Sequence, residues 1–303
     1  MKVSHPERIV FPDDGITKGE VVAYYEQVAA AMLPHVEGRP LTVQRFPQGI
    51  GGSGFMQKNA PDHFPESIER IEVPKREGGT TRYPVLHDGE DIAYLANQGT
   101  ITFHVWTCRA PVLDIPDRII VDLDPLEGNV SQVREAAHRV RALLDPLGLP
   151  TIPVATGSKG YHLVAPVVAD ESAAALAGAM HSLGIWMAGQ APDLLTAEFR
   201  IEARAGRVFV DWLRNRPGQT AVAPWSLRPR RHAPVAMPLT WDEFDDTPPD
   251  AWLIGTAVDR LDQPDPLLDL VAHPTDAAPV VEAVGLLLAD AGIDPEPFDR
   301  FRP

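Results

Sequence analysis

Between Ile119 and Pro166 the chain alternates short apolar runs with one helical stretch, in an order that leaves few folds open. Ile119 to Leu123 reads as a strand and Ser131 to Leu147 as a helix. Ile152 to Ala155 and Tyr161 to Pro166 follow as two strands separated by the turn Thr156-Gly157-Ser158-Lys159-Gly160. Strands alternating with helices in this way pack in layers around one core, here with a smaller N-terminal subdomain. An α/β (α+β) fold is therefore expected. Further strands are expected at Leu41 to Phe46, Ile101 to Trp106 and Arg207 to Trp212, with a helical turn at Ile92 to Leu95. Helices are expected at Lys18 to Leu33, Ser172 to Met187 and Pro279 to Ala291. Thr17 followed by Glu20 has the spacing of a capping box at the first helix start. The 31 prolines keep elements short. No internal repeat or low-complexity linker divides the chain. One domain over 1–303 is expected, with an N-terminal subdomain (1–100), a catalytic core (101–245) and an acidic C-terminal segment (246–303).

The strand from Ile119 ends in Asp122-Leu123-Asp124-Pro125. Side chains alternate along a strand, so Asp122 and Asp124 share a face while Leu123 turns into the core. Two carboxylates so close repel unless a cation lies between them, and oxygen donors alone suit Mg²⁺ or Mn²⁺. The plain alternative is a strand running into an Asp-Pro turn. A third carboxylate, Asp211, ends another apolar run, Val208-Phe209-Val210, and favours the metal.

In the turn between the two later strands, two glycines let backbone N–H groups approach an anion, and Lys159 adds a point charge suited to a triphosphate. His162, on the departing strand, is placed to donate to a phosphate oxygen. The turn is not a Walker A loop, because no helix opens after Lys159. Gly49, Gly51 and Gly54 match Gly-x-Gly-x-x-Gly, but again no helix follows, and the stretch reads as a loop presenting Phe55 and Met56. Three strand-end carboxylates beside a phosphate-binding turn describe a metal-dependent phosphoryl- or nucleotidyl-transfer centre.

A net charge of −15 argues at first against a nucleic-acid partner. The charge is unevenly spread: from Ala233 to Pro303, 3 Arg and no Lys stand against 15 acidic residues, whereas Glu198 to His232 holds 8 Arg against 3 acids. A polyanion can dock on the basic stretch. The single Cys108 excludes a disulfide framework and cysteine-based zinc sites. No apolar run reaches the roughly 18 residues that span a bilayer and no leader pattern opens the chain, so a cytoplasmic, nucleoid-associated protein without a membrane partner is expected.

Asp122-x-Asp124, Ser158-Lys159-Gly160-Tyr161-His162 and Phe209-Val210-Asp211-Trp212, in that order, resemble the three motifs of the archaeo-eukaryotic primase superfamily. More narrowly, the chain is similar to the polymerase domain of bacterial DNA ligase D and its stand-alone relatives, from about Ser4 to Asp245. Ile16-Thr17-Lys18-Gly19-Glu20, Gly38-Arg39-Pro40-Leu41-Thr42, Lys58-Asn59-Ala60-Pro61 and Ala223-Pro224-Trp225-Ser226-Leu227-Arg228 support the likeness. The resemblance implies a primase-like core of mixed and antiparallel sheets flanked by helices. It implies that Asp122, Asp124 and Asp211 hold two cations, Mn²⁺ or Mg²⁺. His104, Thr156, Ser158, Lys159, His162 and Arg228 would meet the nucleoside triphosphate, with Arg204 beside them. Arg8 and Lys18 match the basic pair for a downstream 5′-phosphate, and Phe55 with Met56 the platform on which template bases stack.

Three positions depart from the family pattern. Gln44 stands where a lysine is common, a loss that either weakens triphosphate binding or shifts the duty onto Arg45. Met56 replaces an aromatic residue. Arg214 stands where a neutral polar residue is common, a charge that can make good the one missing at Gln44. The function implied is a DNA-dependent nucleotidyltransferase, a primase-polymerase that adds nucleotides, preferentially ribonucleotides, at gaps or ends during break repair. The alternative is a catalytically weak module that binds DNA ends through the 5′-phosphate. A haloacid-dehalogenase-like phosphohydrolase is disfavoured by Pro125 after the second aspartate. No Lys-x-Asp-Gly ligase nucleophile is present in these residues, so if the chain is full length a separate ATP-dependent ligase has to seal what it fills, and a Ku-like end binder is a further candidate partner.

Overall fold

The computed structural model describes residues 2–75, 77–125 and 129–293; the end of the acidic segment, from 294 onward, lies outside the described residues. The chain divides into two compact units. The first comprises Met1–Pro111, Thr220–Met237 and Asp250–Pro264, the second Val112–Gln219, Pro238–Pro249 and Asp265–Pro303.

The first unit is organised by the helix Lys18–Val36. Its start is the capping box expected: Thr17 Oγ1 accepts from the Glu20 amide at 3.2 Å, and the Glu20 carboxylate accepts from the Thr17 amide at 2.8 Å. Val21, Val22, Val28 and Met32 bury one side of it, and Tyr25 packs edge-on against Phe103 with ring centroids 5.0 Å apart. Two tyrosine hydroxyls on this helix reach distant backbone. Tyr24 donates to the Trp225 carbonyl at 2.9 Å, and Tyr25 accepts from the Leu227 amide at 2.9 Å. Burial raises both phenols above their ordinary range, so they remain protonated and tie down the segment that leads into Arg228.

The antiparallel sheet of this unit runs in the order Ala221–Val222, Thr100–Val105, Leu41–Arg45, Phe55–Gln57. The loop expected around Phe55 and Met56 is thus a short strand: Phe55 pairs with Arg45 and Met56 with Gln44. Pairing to the strand edge satisfies backbone groups that three residues cannot satisfy alone. A half-exposed hairpin of Glu69–Pro74 and Thr80–Val85 has no counterpart in the sequence reading, because charged residues interleave Ile71 and Val73. The helical turn expected at Ile92 to Leu95 is a longer helix, Gly89–Asn97, capped by Asp88, which accepts from the Glu90 amide at 2.8 Å.

In the second unit the strands lie in the order Leu195–Thr196, Val208–Asp211, Arg118–Asp124, Tyr161–Val168, Ile152–Ala155. Val208–Asp211 and Tyr161–Val168 each pair antiparallel with the central strand Arg118–Asp124. The helices Val130–Leu144 and Ala173–Gln190 pack on this sheet. The first passes into a 3₁₀ turn at Asp145–Leu147, earlier than expected, because Pro146 cannot continue it. The result is the mixed α/β fold with antiparallel sheets that the sequence predicts. Cys108 is buried. Among the described residues no helix is long and apolar enough to cross a membrane.

Candidate active site

Asp122, on the central strand of the second unit, stands opposite Asp211 on one neighbouring strand and opposite His162 on the other. Residues directly opposite in an antiparallel pair project to the same side, so the three form one row across the sheet. One position further on, Leu123, Val210 and Tyr161 form the matching row on the other face, all buried. Asp124 returns to the first face at the strand end, where it is exposed. The carboxylates therefore grade in depth from Asp122 through the partly buried Asp211 to Asp124.

Burial would raise the Asp122 carboxyl, but His162 and Arg214 outweigh it and hold the group well below the usual carboxylate range. Arg214 Nε donates to Asp122 Oδ2 at 2.9 Å, and His162 Nε2 lies 3.6 Å from Oδ1. Asp211 moves the opposite way: burial first, then the negative charge of Asp122, push it up to about 6, against the Leu213 amide that donates to its Oδ1 at 2.8 Å. Like charges in one row need a cation.

The donor chemistry of this row suits a hard divalent cation, three carboxylates and no sulfur. In the present arrangement, no group of three or more His, Cys, Asp or Glu side chains among the described residues stands ready to hold one. The positive charge on Asp122 is Arg214. The charge that was expected to serve the nucleotide in place of Gln44 is thus engaged with the deepest carboxylate.

Two residues outside the predicted set build this row. Asn215, fully buried, donates from Nδ2 to the carbonyls of Ile120 (2.7 Å) and Trp212 (2.9 Å) and accepts from the Ile120 amide at 2.8 Å. It staples the turn after Asp211 to the strand that carries Asp122. Asn215→Ala leaves buried backbone groups without partners and is expected to cost roughly 2–4 kcal/mol, read as a lowered urea midpoint. Gly160 is the second. A Cβ there would lie 2.1 Å from the Leu123 carbonyl oxygen and 2.5 Å from Asp124 Oδ1. Asn215 carries no such signal in sequence, whereas Gly160 lies within the Ser158–His162 motif, where its freedom is expected to serve an anion and not the close approach of a strand.

Around the row, Thr156 is buried and donates to the Gly160 carbonyl at 2.8 Å, closing the turn, while the Gly157 amide donates to Pro249. Gly157 has φ +65°, which a glycine adopts freely. Ser158 is half-buried. Lys159 is exposed and has no partner among the described residues. Arg204 is committed locally: it donates to the carbonyls of Glu198 and Phe199 and covers the Phe209 ring at 4.2 Å.

The remaining predicted residues belong to the first unit. His104 pairs with Thr42 and Val222 in its sheet, and the Arg228 amide donates to Pro234. Arg45 donates to the Gln98 carbonyl and to Gln57 Oε1, with its guanidinium 5.5 Å from the Phe55 ring centroid. Phe55 and Met56 are about half exposed. Lys18 Nζ donates to the Ser4 carbonyl at 2.8 Å and to Ser4 Oγ at 2.6 Å, and Arg8 donates to the Pro47 carbonyl at 2.7 Å. Burial, then the charges of Arg8 and Arg45, lower the Lys18 pKa. These cations repel one another, a field that favours a bound anion.

Residues 17–267 match the family described as LigD, primase-polymerase domain, and the chain belongs to that family. It is 36% identical over 309 residues to the multifunctional non-homologous end joining protein LigD of Mycolicibacterium smegmatis, covering 100% of this chain and 40% of the relative. It is 29% identical over 278 residues to the bifunctional non-homologous end joining protein LigD of Bacillus subtilis, covering 89% of this chain and 44% of that one. The chain thus spans less than half the length of these relatives. Among solved structures, the polymerase domain from Mycobacterium tuberculosis ligase D in complex with DNA matches with a TM-score of 0.82 and 34% identity, over 90% of this chain and 99% of that one.

Proposed function

We propose that the chain is a DNA-dependent nucleotidyltransferase that adds nucleotides, preferentially ribonucleotides, at gaps or ends carrying a downstream 5′-phosphate. The observation that carries this reading is the Asp122–Asp211 row with Asp124 at its open end, next to the turn that presents Lys159. Asp122, Asp124 and Asp211 would hold Mn²⁺ or Mg²⁺, which lowers the pKa of an attacking hydroxyl and neutralises charge on the transferred phosphate. Lys159 supplies a free ammonium for the triphosphate, and Thr156 and Gly160 keep its turn in shape. His104, Arg45 and Arg228 keep the roles toward the nucleotide that the resemblance assigns them. Arg8 and Lys18 take the 5′-phosphate, which replaces Ser4 as the partner of the lysine, and Phe55 with Met56 stacks template bases. A ligase that seals the filled gap and a Ku-like end binder complete the set of partners.

The test is extension of a labelled primer across a short gap, with and without the downstream 5′-phosphate, under Mn²⁺ or Mg²⁺, with ribo- or deoxyribonucleotides. Incorporation that needs the metal, rises with the 5′-phosphate and favours ribonucleotides is expected. Gap binding with no incorporation under any pairing would replace this reading with the end-binding module. The cations around Lys18 serve either function, so incorporation and not gap binding decides between the two.

A further inference from the structure

Asp122 is almost wholly enclosed, and both of its oxygens face positive or hydrogen-bonding groups, Arg214 at 2.9 Å and His162 at 3.6 Å. Arg214 follows directly from Asp211 through the 3₁₀ turn Leu213–Asn215. One end of that turn is held by the Leu213 amide on Asp211 and the other by Asn215 on the Asp122 strand. The backbone under Arg214 is thus fastened to both neighbouring carboxylate strands. Its guanidinium is attracted by Asp122, by Asp211 and by Asp124, the whole acidic set. About a third of the side chain is exposed, so the head group has an outward path while its root stays fixed.

We propose that Arg214 is a resident counter-cation of the aspartate row, which a divalent metal has to displace from Asp122, so that this residue sets the metal affinity of the nucleotide-free protein. The inference rests on the nucleotidyltransferase reading of the same three aspartates. Its physical basis is competition for one charge site. A metal gains the three carboxylates only by breaking a charge-assisted hydrogen bond in a water-poor setting, and the row it enters is already partly neutralised. Removing the guanidinium leaves Asp122 buried beside Asp211 with one positive neighbour fewer, which destabilises the empty site and favours the ion. Lysine at this position keeps the charge and loses only the planar fork.

Mn²⁺ binding to the full chain without nucleotide, followed by the electron paramagnetic resonance signal of the free ion, tests this directly. Arg214→Gln is expected to bind Mn²⁺ roughly 10- to 100-fold more tightly than the unaltered protein. Arg214→Lys is expected to stay close to the unaltered value, and Asp211→Ala to lose the site. Melting in chelator and in Mn²⁺ gives a second readout: the glutamine variant melts lower without metal and gains more from it. An Arg214→Gln affinity equal to or weaker than that of the unaltered protein overturns the inference while leaving the aspartates as metal ligands. Absence of any Mn²⁺ binding that depends on Asp211 overturns both readings. Should the glutamine variant not fold, the Nε–Hε resonance of Arg214 in the unaltered protein decides. It is expected to shift and exchange faster with water as Mg²⁺ is added, and an unmoved resonance at saturating Mg²⁺ overturns the inference.

Discussion

Asp211→Ala is expected to abolish primer extension while leaving affinity for gapped DNA close to that of the unaltered protein. The carboxylate stands directly across the sheet from Asp122 and shares its face. Without it the row retains one enclosed and one exposed carboxylate, fewer than the proposed metal site would need. Loss of roughly a thousandfold or more in rate corresponds to about 4 kcal/mol of transition-state stabilisation, at about 1.4 kcal/mol per factor of ten. The fold is expected to tolerate the change. Asp211 is held up near 6 by burial and by the charge of Asp122, so the folded protein gains little from keeping it ionised, and removing it relieves the repulsion. Single-turnover extension together with fluorescence anisotropy on the same gapped duplex measures both quantities. Normal extension by this variant would remove Asp211 from the reaction, and loss of DNA binding in parallel would make its role structural.

Gly160→Ala is expected to be nearly as damaging by a different route. At this position the two strands of motif-bearing chain approach so closely that a methyl group meets the Leu123 carbonyl oxygen at 2.1 Å and Asp124 Oδ1 at 2.5 Å. Real Cβ atoms do not come that near to backbone, and a carbonyl in a paired strand cannot swing aside as a flexible side-chain tip can. The strands must part or Asp124 must turn away, with an expected cost of about 1–3 kcal/mol and a fall in extension of at least a hundredfold. Gly178 is a fitting control, since it lies inside the helix Ala173–Gln190 and an added Cβ meets nothing within 4 Å. Gly178→Ala is expected to be neutral or to stabilise by up to about 1 kcal/mol. Urea midpoints of the two variants, compared with their extension rates, separate loss of the site from loss of the fold. Equal behaviour of the two would show that the close approach at Gly160 has no bearing on the site.

Much of this organisation could be read from residue order alone. The capping box at Thr17 and Glu20, the Asp-x-Asp strand end and the Tyr161 strand are local patterns, and local patterns survive because their causes act within a few residues. The hairpin at Glu69–Pro74 and Thr80–Val85 was illegible because its charged, half-exposed faces blur the period of two. The strand at Phe55 was missed for a related reason: three residues carry no period, and only an edge at Leu41–Arg45 makes them a strand.

The identity and order of the three carboxylates, the two-glycine turn and the single cysteine belong to the covalent chain, since each follows from side-chain alternation, backbone freedom or a simple count. Which groups neutralise those carboxylates does not, because electrostatic pairing depends on distance in space. Asp122 and Arg214 lie 92 residues apart in the chain and meet only because antiparallel strands set Asp211 opposite Asp122 and Asn215 fastens the turn between them. The depth gradient from Asp122 to Asp124 likewise arises from packing, which buries one oxygen pair and leaves the other in water two residues away.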